Sequence, residues 1–123
     1  MKNGKDVLVV EDDATINFLI SEYLRMEGRH ARSALDGATA LREVKEKAPD
    51  LVILDLMLPD MDGFEICRRI KADDATKEVP VVILTALADE KSRKEGMACG
   101  AAEYLSKPFN PDALLDAVNR NSK

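Results

Sequence analysis

The chain is poor in the residues that build disulfide frameworks and soft-metal sites. Its 123 residues include two cysteines and one histidine. Cys67 and Cys99 lack metal-ligand spacing and fall in different predicted helices. They read as reduced structural thiols rather than a disulfide or a zinc site. His30 stands alone in a weak strand and reads as a solvated or satisfied side chain. No apolar run approaches the roughly 20 residues needed to span a bilayer. Gly96 and Gly100 are four apart, but no apolar 20-mer surrounds them, which excludes a membrane-dimer motif. The opening MKNGKD lacks the apolar core of a secretory leader, so a cytoplasmic location is expected. Basic residues are outnumbered: the net charge is -5, which argues against direct nucleic-acid binding. Low-complexity stretches, internal repeats and linkers are absent, so residues 1–123 are expected to form a single domain.

What is present is an ordinary globular composition, 46% hydrophobic and 33% charged. Short apolar, β-branched-rich runs alternate with helical patterns from end to end. This indicates a βα repeat around a parallel sheet. VLVV at 7–10, LVIL at 51–54, VVIL at 81–84 and the weaker AAEYL at 101–105 read as strands, with a further weak edge strand near 29–34. The first helix places Ile16, Leu19, Ile20, Tyr23 and Leu24 on one face and stops at Gly28. The second starts at Asp36 as N-cap, presents Ala40, Leu41, Val44 and Ala48, and ends before Pro49. The third presents Ile66, Cys67 and Ile70. The fourth, near 88–99, carries only a thin apolar stripe (Leu87, Met97 and a few Ala), which suggests a mobile element. The fifth opens with Asn110 as N-cap and Pro111 at N1 and buries Leu114, Leu115 and Val118. The count is five strands and five helices in an α/β fold.

Four of the strands are followed by chemistry. Glu11, Asp12 and Asp13 follow the first, Asp55 the third, Thr85 the fourth and Lys107 the fifth. Ligands of open parallel sheets bind beyond the carboxyl ends of the strands, so these groups converge on one crevice. Asp12, Asp13 and Asp55 would repel one another without a cation. Oxygen ligands favour a hard ion such as Mg²⁺, which keeps several waters and is satisfied by a few carboxylates and a carbonyl. A carboxylate can attack a phosphoryl group to give an aspartyl-phosphate. Asp55 is the best nucleophile candidate because it stands alone at its strand end, leaving the Asp12–Asp13 pair to hold metal. Lys107 adds fixed positive charge and Thr85 a neutral donor. Read singly, each residue has a plainer role. Asp12 or Asp13 could cap the first helix, Asp60 and Asp62 could be turn formers, Thr85 a strand residue, Lys107 a surface charge and Tyr104 a core or rim aromatic.

The motifs VLVVEDD at 7–13, LVILDLMLPDMDGFEI at 51–66, VPVVILTA at 79–86 and GAAEYLSKPF at 100–109 occur in order at domain-consistent spacing. Together they resemble the receiver (CheY-like) domain of two-component response regulators, over essentially the whole chain. That resemblance implies a flavodoxin-like, doubly wound parallel sheet of order 2-1-3-4-5 flanked by five helices. It implies that Asp55 accepts a phosphoryl group from a histidine kinase or phosphotransfer protein. Asp12, Asp13 and Asp55 would bind Mg²⁺, with the backbone carbonyl of Met57 as a further ligand. Thr85 and Lys107 would contact phosphoryl oxygens, and Thr85 and Tyr104 would form the switch. Glu11 is expected to shape the local field rather than bind metal, and the Lys107–Pro108 bond to be cis as is usual there. The partners implied are the kinase and either a downstream output domain or protein or a second copy, engaged by the face of the fourth helix, fifth strand and fifth helix. No membrane partner is implied.

Two other functional classes fit less well. A Mg²⁺-dependent phosphohydrolase with an Asp nucleophile typically has two Asp two apart after the first strand, whereas Asp12 and Asp13 are adjacent and the chain offers no cap segment. A nucleotide- or flavin-binding module would need a Gly- or Ser/Thr-rich phosphate loop where this chain has EDDATIN. A degenerate receiver that only binds partners is disfavoured because the matching chemical residues are intact.

Overall fold

A computed structural model describes residues 6–122. The elements alternate in chain order: β1 (Asp6–Val10), α1 (Ala14–Met26), β2 (His30–Ala34), α2 (Gly37–Glu46), β3 (Leu51–Leu54), α3 (Gly63–Ala72), β4 (Val81–Thr85), α4 (Glu90–Ala98), β5 (Glu103–Ser106) and α5 (Pro111–Asn121). The strands form one parallel sheet of order β2-β1-β3-β4-β5, as expected from the sequence. The order reverses direction between β1 and β3, so the crevice of the doubly wound fold opens beyond Val10 and Leu54.

Side chains alternate faces along each strand, and this period of two divides the core into halves. Leu8, Val10, Val52, Leu54, Val81 and Ile83 pack with Ala40, Val44, Ile66 and Ile70 from α2 and α3. Val7, Val9, Leu51, Ile53, Val82 and Leu84 pack with Ile20 and Leu24 of α1 and Leu114, Ala117 and Val118 of α5. The central strands are buried on both sides, which is why they read as unbroken apolar runs. Fully burying one Leu or Ile contributes about 1.5–3 kcal/mol relative to leaving it in water.

Helix caps fall where the sequence placed them. Asp36 accepts the Thr39 N–H at 2.7 Å, and Asn110 accepts those of Asp112 and Ala113 at 2.8 and 3.2 Å. Gly28 follows α1 with φ +81°, a conformation that strains residues with a Cβ. Some faces differ from the periodic reading. On α1 the buried residues are Asn17, Ile20, Ser21 and Leu24, while Leu19 is 44% exposed. On α4 the only buried residue is Gly96, and Met97 is exposed. The α4 helix is shorter than expected because Asp89 caps it, accepting from Ser92 N at 3.0 Å. Cys67 and Cys99 are free thiols; burial pushes Cys67 up to about 11, and it donates to the Cys99 carbonyl. Among the described residues, no helix is long and apolar enough to cross a membrane.

Candidate functional site

The sheet itself fixes the site residues. Its ladders run one step past the strands: Glu11 N donates to Ala34 O (3.1 Å), Asp55 N to Val10 O (3.0 Å) and Lys107 N to Thr85 O (2.8 Å). Three functional residues therefore have their backbones bonded into neighbouring strands, at the carboxyl edge where the fold opens. Asn17 reinforces this edge from α1. Its buried amide donates to the carbonyls of Val9, Glu11 and Ala34, and its oxygen accepts from Ser33 and Ser21. A buried amide with all its bonds made holds the β1–α1 turn in one geometry.

Carboxylate oxygens of Glu11, Asp12 and Asp55 lie within 4.8 Å of one another. Asp13 is not in this group. Its Oδ1 accepts the N–H of Thr15 at 2.9 Å and of Ile16 at 3.1 Å, making it the N-cap of α1. The acid pair that the structure brings to the crevice beside Asp55 is thus Glu11–Asp12, one residue earlier than the Asp12–Asp13 pair expected from sequence. The physical reason is the strand end. Glu11 still continues the β1 ladder and turns its side chain inward, 2% exposed, whereas Asp13 has reached the helix start.

Lys107 spans the group. Its ammonium bonds Glu11 Oε1 and sits 3.0 Å from Asp55 Oδ2. Burial works to lower the Lys107 pKa, but the bonds to Glu11 and Asp55 outweigh it and the net shift is upward. Burial holds the Glu11 carboxyl above the usual range, against the pull of Lys107. Glu11 Oε2 also accepts the Asp13 N–H at 3.0 Å, so each of its oxygens has one bond and a lone pair to spare. Asp55 is 5% exposed and held from both sides, Oδ1 by the Met57 N–H at 3.1 Å and Oδ2 by Lys107.

Three carboxylates against one ammonium leave the cluster anionic. Oxygen donors of this kind fit a hard divalent cation, and with no imidazole or thiolate in the group they do not suit a softer one. The Met57 side chain is 54% exposed at the rim. Ala86, Ile16, Lys107, Pro108 and Phe109 line an adjoining cavity of about 490 Å³, and the Lys107–Pro108 bond is cis.

Thr85 is fully buried, and its hydroxyl oxygen accepts the Leu87 N–H at 3.4 Å. Tyr104 is already inside: it is 5% exposed, and its hydroxyl donates to the Leu87 carbonyl. Burial raises its pKa. Arg93 lies 5.7 Å from the ring centroid and donates to Tyr104 O at 3.3 Å. Gly96 makes room for the ring, since a Cβ there would lie 2.9 Å from Tyr104 Cδ2. Sequence reasoning missed Gly96, although a glycine inside a helical pattern is itself a signal of close approach.

Asp60 and Asp62 both cap helices. Asp62 caps α3 through Phe64 N (2.9 Å), and Asp60 reaches α2. The family model for the response regulator receiver domain matches residues 7–119. The chain is 42% identical over 116 residues to the transcriptional regulatory protein GltR of Pseudomonas aeruginosa, covering 94% of this chain and 48% of that protein. It is 44% identical over 112 residues to the DNA-binding response regulator MtrA of Mycobacterium tuberculosis, covering 91% and 48%. The solved structure of Vibrio cholerae chemotaxis protein CheY4 matches with a TM-score of 0.87 at 34% identity, covering 94% of this chain and 96% of that one. The chain thus spans about half the length of these curated relatives and nearly all of a solved receiver. On fold, site and sequence together, the chain belongs to the response regulator receiver domain family of two-component systems.

Proposed function

We propose that residues 1–123 form one cytoplasmic receiver domain in which Asp55 accepts a phosphoryl group from a histidine kinase or phosphotransfer protein. The observation that carries this reading is the setting of Asp55. Its carboxylate is nearly buried, aimed by the Met57 N–H and paired with Lys107 at the carboxyl edge of the sheet. An oxygen of Asp55 attacks the phosphorus, the N–P bond of the donor phosphohistidine breaks, and the imidazole leaves. Lys107 is placed to neutralise charge on the transferred group, and the Thr85 hydroxyl is placed to bond it once drawn from the Leu87 N–H. The domain is a signalling module that assists its own phosphorylation and dephosphorylation, not a free-standing enzyme.

Glu11, Asp12 and Asp55 would hold Mg²⁺, with the Met57 carbonyl as a further ligand. The ion would supply charge stabilisation for the transferring phosphoryl. Phosphorylation adds charge and acceptor oxygens beside Thr85 and biases the Thr85–Tyr104 pair. The face of α4, β5 and α5 then binds an output domain, a separate protein or a second copy of the chain.

Treatment with acetyl phosphate and Mg²⁺, followed by mass spectrometry, tests the core of this. One labile adduct is expected, lost in Asp55→Asn and in excess EDTA. A full-strength adduct in either condition would overturn the assignment.

A further inference from the structure

Asp60 lies five residues past the phosphoacceptor, in the loop from Leu56 to Asp62 that follows β3. It bonds out of that loop. Its Oδ1 accepts the Gly37 N–H at 2.7 Å and its Oδ2 the Ala38 N–H at 3.0 Å. These are first-turn donors of α2, which no intrahelical carbonyl can satisfy. Asp36 takes the next, Thr39. The helix therefore has two capping acids: one from its own chain entry and one from the phosphoacceptor loop. The neighbouring residue tightens the joint. Met61 packs so closely on Gly37 that a Cβ there would lie 2.6 Å from Met61 Sδ.

The rest of the loop closes on itself. Met57 N bonds Asp55 Oδ1, Gly63 N bonds Leu56 O at 3.0 Å, Met57 and Asp62 form a β-bridge, and Asp62 caps α3. The near end of the loop aims the Asp55 carboxylate, and the far end is fastened to α2 by Asp60. We propose that Asp60 is a positioning residue for phosphoryl transfer: by fastening the loop to α2, it holds the Met57 backbone where it orients Asp55 and completes the metal site. The inference rests on the function proposed above and assigns part of its geometry to a residue outside the crevice. The carboxylate bonds of Asp60 run to α2, and it is not among the gathered crevice acids, so its proposed effect passes through the loop.

Asp36 supplies the control. Asp36→Ala removes a cap from the same helix but leaves the loop fastened. In Asp60→Ala, hydrogen exchange of the Met57 amide in metal-free protein should accelerate. Its Mg²⁺ dissociation constant by calorimetry should rise roughly tenfold, the lower end for outer-sphere partners of metal sites. The labelling rate with acetyl phosphate should fall to match. Asp60→Asn keeps one acceptor oxygen and should lie between wild type and Asp60→Ala. Asp36→Ala should lower the Tm while leaving Mg²⁺ affinity and Met57 exchange as in wild type. Equal effects of Asp36→Ala and Asp60→Ala would make Asp60 a helix cap and nothing more, and an unchanged Mg²⁺ constant in Asp60→Ala would also overturn the proposal. Failure of the underlying function shows separately, as wild-type protein that takes no adduct at Asp55.

Discussion

Asp12 and Asp13 sit side by side in the chain, yet their carboxylates face different partners. Asp12 joins Glu11 and Asp55, while Asp13 accepts two amide protons at the start of α1. Asp12→Ala should abolish phosphoryl labelling and weaken Mg²⁺ binding by tenfold or more, on the order of a lost metal ligand. Asp13→Ala should cost about 1 kcal/mol of stability, as lost N-caps do, and leave Mg²⁺ affinity within roughly twofold. Calorimetry and thermal melts on the pair check both. The sequence shows three acids in a row, and nothing in EDD itself says which two face the crevice. That choice depends on where β1 releases its last ladder bond, a boundary that hydrophobic patterning locates only to within a residue or two. Asp55 and Lys107 stand singly just after their strands and Thr85 is the last residue of its own, so no such ambiguity arose for them. Met57, 54% exposed, and Leu87, partly buried against the core, stand two residues beyond Asp55 and Thr85, and the family resemblance implies that their apolar side chains flank the phosphoryl site. Neither can hydrogen-bond a water lining up behind the phosphorus, and positioning is most of what catalyses this hydrolysis. Replacing Met57 with Asn and Leu87 with Glu should therefore speed decay of the aspartyl-phosphate, measured as loss of adduct in Mg²⁺ buffer.

Among the helices, α4 has the least to hold it. Gly96 is its only buried residue, and its polar ties include Asp89 at the N-cap, Arg93 on Tyr104 and a long, exposed ion pair from Glu95 to Arg68 of α3. Its amides should exchange faster than those of α3, which buries Gly63, Phe64, Ile66, Cys67 and Ile70. Gly96→Ala gains helix propensity of about 1 kcal/mol but drives a methyl group into the Tyr104 ring, an overpacking cost of about 1–3 kcal/mol. The expected result is a net loss of stability with Tyr104 displaced outward, visible as faster α4 exchange and greater tyrosine exposure in solvent-perturbation spectra. The thin packing of α4 was legible in its composition, because a helix with so few apolar residues has little to bury. The face of α1 was less so. Apolar periodicity pointed to Leu19, but the buried positions are partly Asn17 and Ser21, polar residues whose hydrogen bonds are made internally. A pattern that counts only hydrophobic residues cannot see a satisfied amide in the core.

Across the whole molecule the sheet order followed from the resemblance, and the alternating βα pattern needed only the strand runs. Surface pairs add smaller effects. Arg120 bonds both oxygens of Glu103, joining α5 to β5, and holds the Glu103 carboxyl below its usual range. A depressed carboxyl contributes stability above its unfolded value, near pH 4.5, and loses it as the pH falls through the folded value. Glu103→Gln should therefore lower stability at neutral pH by about 0.5 kcal/mol, as exposed pairs do, and flatten the acid limb of the stability profile below that point. Denaturant midpoints across the acid range measure it.

The bonds of Lys107 also fix the order in which the domain can become competent. They join it to Glu11 and Asp55, partners 96 and 52 residues earlier in the chain. A polypeptide leaving the ribosome carries its acids long before it carries their ammonium. Such distant contacts form only after β5 has closed its loop and docked at the sheet edge. On the function proposed above, an incomplete chain, or one whose last strand has peeled away, should be silent to phosphodonors while still holding Asp55. Deleting residues from Glu103 onward should remove labelling altogether, the outcome expected if a signal is to register only in molecules that have finished folding.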